Sequence, residues 1–153
     1  MAFSKKGIVK LSIASTEANF LGELRRAFPL QRWTRDDSST MALMATRQLA
    51  EYFQLRRRSF DLPLEVRGTP FQQRVWKALR RIPYGETRSY GQIARQVGSA
   101  RAARAVGMAN HANPAAILIP CHRVIAASGD LGGYACGVRF KRRLLDLEAA
   151  NIR

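Results

Sequence analysis

The tetrapeptides Thr69-Pro70-Phe71-Gln72 and Ser89-Tyr90-Gly91-Gln92 carry one helix-start signature twice. A Thr or Ser at the N-cap accepts from the backbone amide three residues on, and a Gln there reaches back to the cap. Each stretch therefore fixes where a helix begins. Pro70 strengthens the first, because the first helical position has no N–H bond to lose. Behind Thr69, Phe71, Val75, Trp76 and Leu79 fall on one face, and "IPYGE" from Ile82 ends that helix in a turn. Behind Ser89, Ile93 and Val97 lie one turn apart and Gly98 stops the helix. Ser99 is expected to cap a third helix, "ARAARAVGMAN", with Ala102, Val106 and Ala109 inward. Two short helices joined by a Gly-Ser turn form a helix-turn-helix pattern over about residues 89–110. Helix pairs of this size are also ordinary packing units, so the pattern alone leaves both readings open.

The first half of the chain reads differently. "GIVKLSI" alternates Val9, Leu11 and Ile13 as a strand would. A helix is expected from about Thr16, with Phe20, Leu21, Leu24 and Phe28 on one face, stopping before Pro29. "RDDSST" reads as a loop, "MALMATRQLAEYF" as a second helix, and "SFDLPLEV" as an extended connector whose Pro63 has no ladder donor. A small α/β lobe over residues 1–64 is thus predicted ahead of a mainly helical domain over 65–153.

Net charge is the next constraint. The 153 residues carry a formal charge of +15, and residues 63–153 hold +10 of it. Such a field attracts polyanions. From Ser89 to Asn113 there is no acidic residue, while Arg95, Arg101 and Arg104 lie on or beside the helix pair. The alanines along 100–109 offer little for reading base edges, which needs long polar side chains. A smooth helix with arginines suits close approach to the backbone or minor-groove insertion, hence DNA binding without sequence reading. A solvated basic face is the plainer alternative. No apolar run approaches the roughly 18–20 residues of a membrane span, and "MAFSKKGIVK" lacks the apolar stretch of a signal peptide. No membrane partner is expected. Two cysteines do not make a disulfide framework, and a reducing, cytoplasmic setting follows as the expectation, nucleoid-associated through DNA or nuclear if the source is eukaryotic.

"IPCHRVI", Ile119 to Ile125, places a thiol beside an imidazole inside an apolar run. It is either a core segment with incidental polar residues or a core built around a reactive sulfur. A thiol with an unperturbed pKa near 8.5 is only a few per cent thiolate at neutral pH, so a nearby imidazole would serve as its base. His122 is that imidazole, expected to act through a bridging water because sequence neighbours rarely point at one another. Glu148, in the C-terminal helix "KRRLLDLEAA", is a candidate to orient it. His111, Cys121, His122 and Cys136 match no metal-ligand spacing, so neither a metal nor any other cofactor is expected.

Read together, "FQQRVW", "IPYGETRSYGQIA", "AARAVG", "NP", "PCHRV" and "GGY" resemble the O6-alkylguanine-DNA alkyltransferases in order and spacing, from about Gly68 to Glu148. The resemblance implies an α+β fold: a small RNase H-like N-terminal lobe, then a winged helix-turn-helix-like catalytic and DNA-binding domain. Family members usually begin with further strands ahead of "GIVKLSI", so a reduced sheet is expected here. It implies a monomeric, single-turnover methyltransferase acting on double-stranded DNA with O6-alkylguanine, and with O4-alkylthymine as a second substrate. Cys121 would be the nucleophile, His122 its base through a water, Glu148 the holder of His122, and Asn113 the brace of the active-site turn. Tyr90 would bond the flipped guanine, and the carbonyls of Cys121 and Val124 would accept its amino group. The backbone at Ala135, where a serine is frequent, would face the base oxygen, and Tyr134 and Pro114 would line the pocket. Arg104 would fill the space left in the duplex. Arg101, Arg95, Ser89, Ala102 and Arg123 complete the expected DNA contacts. Cys136 reads as a small core residue. The competing readings are a sequence-preferring helix-turn-helix regulator, a lesion-binding homologue without transfer, and a Cys-His hydrolase.

Overall fold

The computed structural model describes residues 1–13 and 15–151. Strand β1 (Ala2–Ser4) and strand β2 (Gly7–Lys10) form an antiparallel hairpin with Phe3 opposite Ile8 and Ser4 opposite Gly7. The alternation expected along "GIVKLSI" does not hold, because β2 is covered on both sides. Val9 packs with Ala2 and Leu24 beneath one helix, while Ile8 enters the main core on the other face. The strand ends at Lys10, and Leu11 pairs with Ala115 of the second half. The connector at Pro63–Glu65 runs parallel to β2: Ile8 N–H donates to Pro63 O at 2.8 Å and Glu65 N–H to Ile8 O at 2.9 Å. Pro63 gives only its carbonyl, as its ring requires. A Cβ on Gly7 would come within 2.4 Å of that carbonyl oxygen, so the approach demands glycine.

Helix α1 (Glu17–Ala27) starts at Thr16, whose side chain accepts from Asn19 N–H, and ends at Phe28 before Pro29. Helix α2 (Thr40–Phe53) is capped by Ser39 in the same way. In the second half, both capping boxes close. Thr69 and Gln72 open helix α3 (Pro70–Leu79), and Ser89 and Gln92 open helix α4 (Tyr90–Gln96). Gly98 takes φ +74 after α4. Ser99 does not cap the next helix. Its carbonyl closes a turn with Ala102 N–H at 2.8 Å, and helix α5 (Ala103–His111) begins at an N-cap Ala102 with no side-chain bond. The extra turn uses up the residues from Ser99 to Arg101, so α5 starts later than the sequence suggests. Trp76 ties the layers together, donating from Nε1 to Ala109 O at 2.8 Å.

Strands β3 (Arg88–Ser89) and β4 (Val124–Ile125) make a short parallel pair, and helix α6 (Val138–Ala150) closes the chain. The described residues thus form an α+β fold of six helices and two two-stranded sheets. One apolar cluster joins the halves: Ile8, Leu11, Ala45 and Leu62 pack with Val75, Leu79, Ile93, Val106, Ile119 and Val124. A second places Tyr52 of α2 against Ile117 and Leu144. Among the described residues no helix is long and apolar enough to cross a membrane.

Candidate active site

The segment from Asn113 to Ile125 is a tight arch under α5. Leu11 N–H donates to Pro114 O and Ile119 N–H to Ala115 O, at 2.8 and 2.9 Å, which fixes both ends of the bend. Inside it Ile117 adopts φ +72, a region β-branched residues rarely enter. Such strain persists only where packing over-determines it, and Ile117 is buried against Tyr52 and Leu144. Pro120 then leads into a single 3-10 turn, Cys121–Arg123.

Asn113 holds this arch with its whole amide. Oδ1 accepts from Ala115 N–H at 3.0 Å, while Nδ2 donates to Ile119 O at 2.8 Å and to Cys121 Sγ at 3.0 Å. The thiol is 5% exposed. Burial pushes its pKa up, and the bonds from Asn113 and to Tyr134 Oη, the latter at 3.9 Å, pull it down. At rest the site holds a thiol rather than a thiolate, with a donor in place for the sulfur once the proton leaves.

His122, 0% exposed, contacts Glu148 Oε1 through Nε2 at 2.8 Å. Glu148 lies at about 2, because its bonds from His122 and Arg123 overcome the opposing effect of burial. A carboxylate can only accept, so Nε2 carries the proton and Nδ1 is left with a free lone pair. That Nδ1 is buried and has no partner among the described residues. Burial also lowers the pKa of His122, leaving the ring neutral and its Nδ1 able to take a proton.

Glu148 collects more donors than the sequence suggested. Tyr52 Oη gives to Oε1 at 2.7 Å, Arg123 Nη2 to Oε1 at 2.9 Å, Arg123 Nε to Oε2 at 3.0 Å, and Gly85 N–H to Oε2 at 3.0 Å. Arg123 corrects an expectation: assigned above to DNA, it is 7% exposed and turned inward. Its Nη1 donates to Ile82 O at 2.7 Å and its guanidinium lies 5.6 Å from the Tyr84 ring centre. A buried carboxylate needs a paired cation, and the neighbour in sequence supplies it.

A cavity of about 500 Å³ opens beside the sulfur, lined by Cys121, Asn113, Ala116, Tyr134, Ala135 and Cys136 and, from the first half of the chain, by residues that include Lys10 and Ser12. Cys136 is therefore no core residue; it is half-buried on the cavity wall. Pro114 is half-buried in the arch, where its carbonyl accepts from Leu11 N–H. Among the described residues no three His, Cys, Asp or Glu side chains gather as a metal would require.

Tyr90, the first residue of α4, is half-buried. A Cβ on Gly132 would lie 3.3 Å from its hydroxyl, and Gly132 takes φ +65, so glycine lets the loop pass the ring. Lys141, missed from the sequence, is fully buried beneath. Its Nζ donates to Val124 O at 2.5 Å and to Leu131 O, and lies 5.9 and 6.0 Å from the Tyr90 and Tyr134 ring centres. Burial brings this ammonium down to about 8. The Val124 carbonyl is thus already engaged once, as is that of Cys121 by Val124 N–H, and each retains a second lone pair. Arg95, Arg101 and Arg104 are exposed around the α4–α5 turn, and Ser89 and Ala102 are half-buried at the two helix starts. The single sequence signal for the inward cluster was the "CHR" triplet itself, in which consecutive polar residues inside an apolar run must all find partners.

Residues 70–150 match the family model described as 6-O-methylguanine DNA methyltransferase, DNA binding domain. The chain belongs to that family. It is 59% identical over 116 residues to a methylated-DNA–protein-cysteine methyltransferase of Mycobacterium tuberculosis, covering 76% of this chain and 69% of the relative. To the protein of the same name from Methanosarcina acetivorans it is 56% identical over 106 residues, covering 69% and 68%. Among solved structures, Mycobacterium tuberculosis OGT in complex with DNA superposes with a TM-score of 0.71 at 59% identity, over 72% of this chain and 68% of that one. The Mycobacterium tuberculosis O6-methylguanine methyltransferase gives 0.72 at 57% identity, over 78% and 71%. The arch, the Cys121–Arg123 turn and the helix pair all lie within the matched span.

Proposed function

We infer that the chain repairs DNA by direct reversal: it transfers a methyl or larger alkyl group from O6-alkylguanine in duplex DNA irreversibly to Cys121. The observation that carries this reading is a buried thiol held by Asn113 on a cavity wall, beside a neutral histidine whose outer nitrogen is fixed by a carboxylate. Sγ attacks the alkyl carbon in line, the carbon–O6 bond breaks, and its electron pair stays on the base. The thiol proton passes through a water to His122 Nδ1, the departing base takes one proton from water to become guanine, and His122 returns its proton to solvent. Asn113 Nδ2 stabilises the sulfur as charge develops there. Tyr90 Oη donates to the base, the second lone pairs of Cys121 O and Val124 O accept its amino group, and the Ala135 amide faces O6. O4-alkylthymine, whose ether is placed similarly, is a second substrate.

The base inside a stacked duplex is out of reach, so it must be flipped out. Arg104 takes its place in the stack, and Arg95, Arg101, Ser89 and Ala102 approach the backbone without reading sequence. The work divides between an RNase H-like lobe over 1–64 and a winged helix-turn-helix-like domain over 65–153 that acts as a monomer. The thioether product is a poor leaving group and the proposed cycle has no step that removes it, so each molecule reacts once.

Two measurements follow. Mixed with excess O6-methylguanine duplex, the protein is expected to regenerate guanine to a plateau equal to the protein present; continued turnover contradicts the reading. Arg104→Ala is expected to slow transfer from duplex by about 10²-fold while leaving transfer from the free base within threefold, since flipping costs a few kcal/mol and is needed only in the duplex. Equal losses on both substrates contradict the assignment.

A further inference from the structure

We propose that Tyr52 is a positioning residue for the transfer step: from α2 of the first lobe, its hydroxyl holds the Glu148 carboxylate that orients His122. The proposal rests on the alkyl-transfer reading above. Tyr52 is 0% exposed, and its Oη donates to Glu148 Oε1 at 2.7 Å across 96 residues of sequence. His122 Nε2, at 2.8 Å, and Arg123 Nη2, at 2.9 Å, use the same oxygen. Arg123 Nε adds a longer contact at 3.3 Å, and since a carboxylate oxygen offers two lone pairs, these four donors compete for it. The density Tyr52 draws is density His122 does not receive.

The groups facing this point come from every surrounding element: Tyr52 from α2, Tyr84 and the Gly85 N–H from the loop after α3, His122 and Arg123 from the 3-10 turn, and Glu148 and Lys141 from α6. Burial and the neighbouring carboxylate push the Tyr52 phenol well above its ordinary range, so it remains a donor at every working pH. Arg123 and Lys141 oppose charging of His122, whereas Glu148 favours it. Taking the Tyr52 hydroxyl away leaves Oε1 more basic toward the imidazole. The imidazolium is then easier to form, and a protonated His122 cannot accept the thiol proton.

The ring has a separate, structural task. It packs against Phe60 and Tyr84 at 5.4 and 6.0 Å between centres, and it shares a cluster with the strained Ile117. Tyr52→Phe keeps that packing and deletes only the hydroxyl. The test is single-turnover methyl transfer from an O6-methylguanine duplex by the full chain, followed across pH, with duplex affinity and Tm measured alongside.

For Tyr52→Phe the expected result is a rate about tenfold lower near neutrality, a fraction of what general-base assistance contributes, with the acid limb moved to higher pH. Affinity for the duplex should stay within twofold. A pH profile that overlays the wild type overturns the proposal. So does a loss in which Tyr52→Leu and Tyr52→Phe fall together in proportion to Tm, because the residue is then structural only. Failure of the wild-type protein to transfer methyl at any pH is a different outcome, and it sinks the alkyl-transfer reading itself.

Discussion

Glu148→Gln is expected to be destabilised by about 3–5 kcal/mol, the usual consequence of removing one partner from a buried ion pair. The amide is close to isosteric, so the loss is electrostatic. Arg123 would remain buried without its counter-charge, and the Gln NH₂ would face one of the donors that now converge on the carboxylate. Transfer should fall by at least about 10²-fold, the lower end of a general base's contribution, because an amide cannot specify the His122 tautomer. Chemical unfolding and single-turnover kinetics of the same preparation check both parts. Wild-type stability in the Gln variant would show that the Arg123–Glu148 pair is not needed to hold the turn.

The same pair sets a pH dependence. Glu148 lies at about 2 in the folded protein against an ordinary 4.5. A lowered carboxylate pKa gives stability that is fully present above the unfolded value and is lost as pH falls toward the folded one. Acid unfolding of the wild type should therefore steepen below about 4.5. The Gln variant should lack that component.

Cys121→Ser is expected to have the largest effect on activity, reducing transfer to the uncatalysed background while leaving the fold and duplex binding in place. A serine hydroxyl fits the site, accepts from Asn113 Nδ2 and is no larger than the thiol. What it lacks is acidity and nucleophilicity, which favour sulfur when the only base is one neutral imidazole. The variant should bind lesion-containing duplex with wild-type affinity and hold it without reacting. Residual single-turnover transfer above a few per cent of wild type would place the acceptor elsewhere, and Cys136, on the same cavity wall, is the residue to map first.

Local chemistry made much of this molecule readable. The boxes at Thr69–Gln72 and Ser89–Gln92, the stops at Pro29 and Gly98 and the apolar face of α3 are each decided within one helical turn, and each is found where its residues place it. Ser99 shows the limit, since a capping residue can instead close a turn through its carbonyl, and nothing in four residues distinguishes the two. Ile8 and Val9 show another. Alternation marks a strand with one wet face, and β2 has apolar cover on both. The His122–Glu148 contact could be anticipated because a base needs an orienting acid. Arg123 and Tyr52 could not, since an arginine in a basic chain reads as surface and a tyrosine on an amphipathic helix reads as core. Only the fold shows that both end on one carboxylate.

One sulfur, that of Cys121, is expected to accept one alkyl group. Intact-mass measurement of the protein after incubation with an O6-methylguanine duplex, followed by peptide mapping, tests it directly. A gain of a single methyl is expected, saturating at one per molecule and located on Cys121. No gain in mass, or a methyl mapped to any other residue, would contradict it.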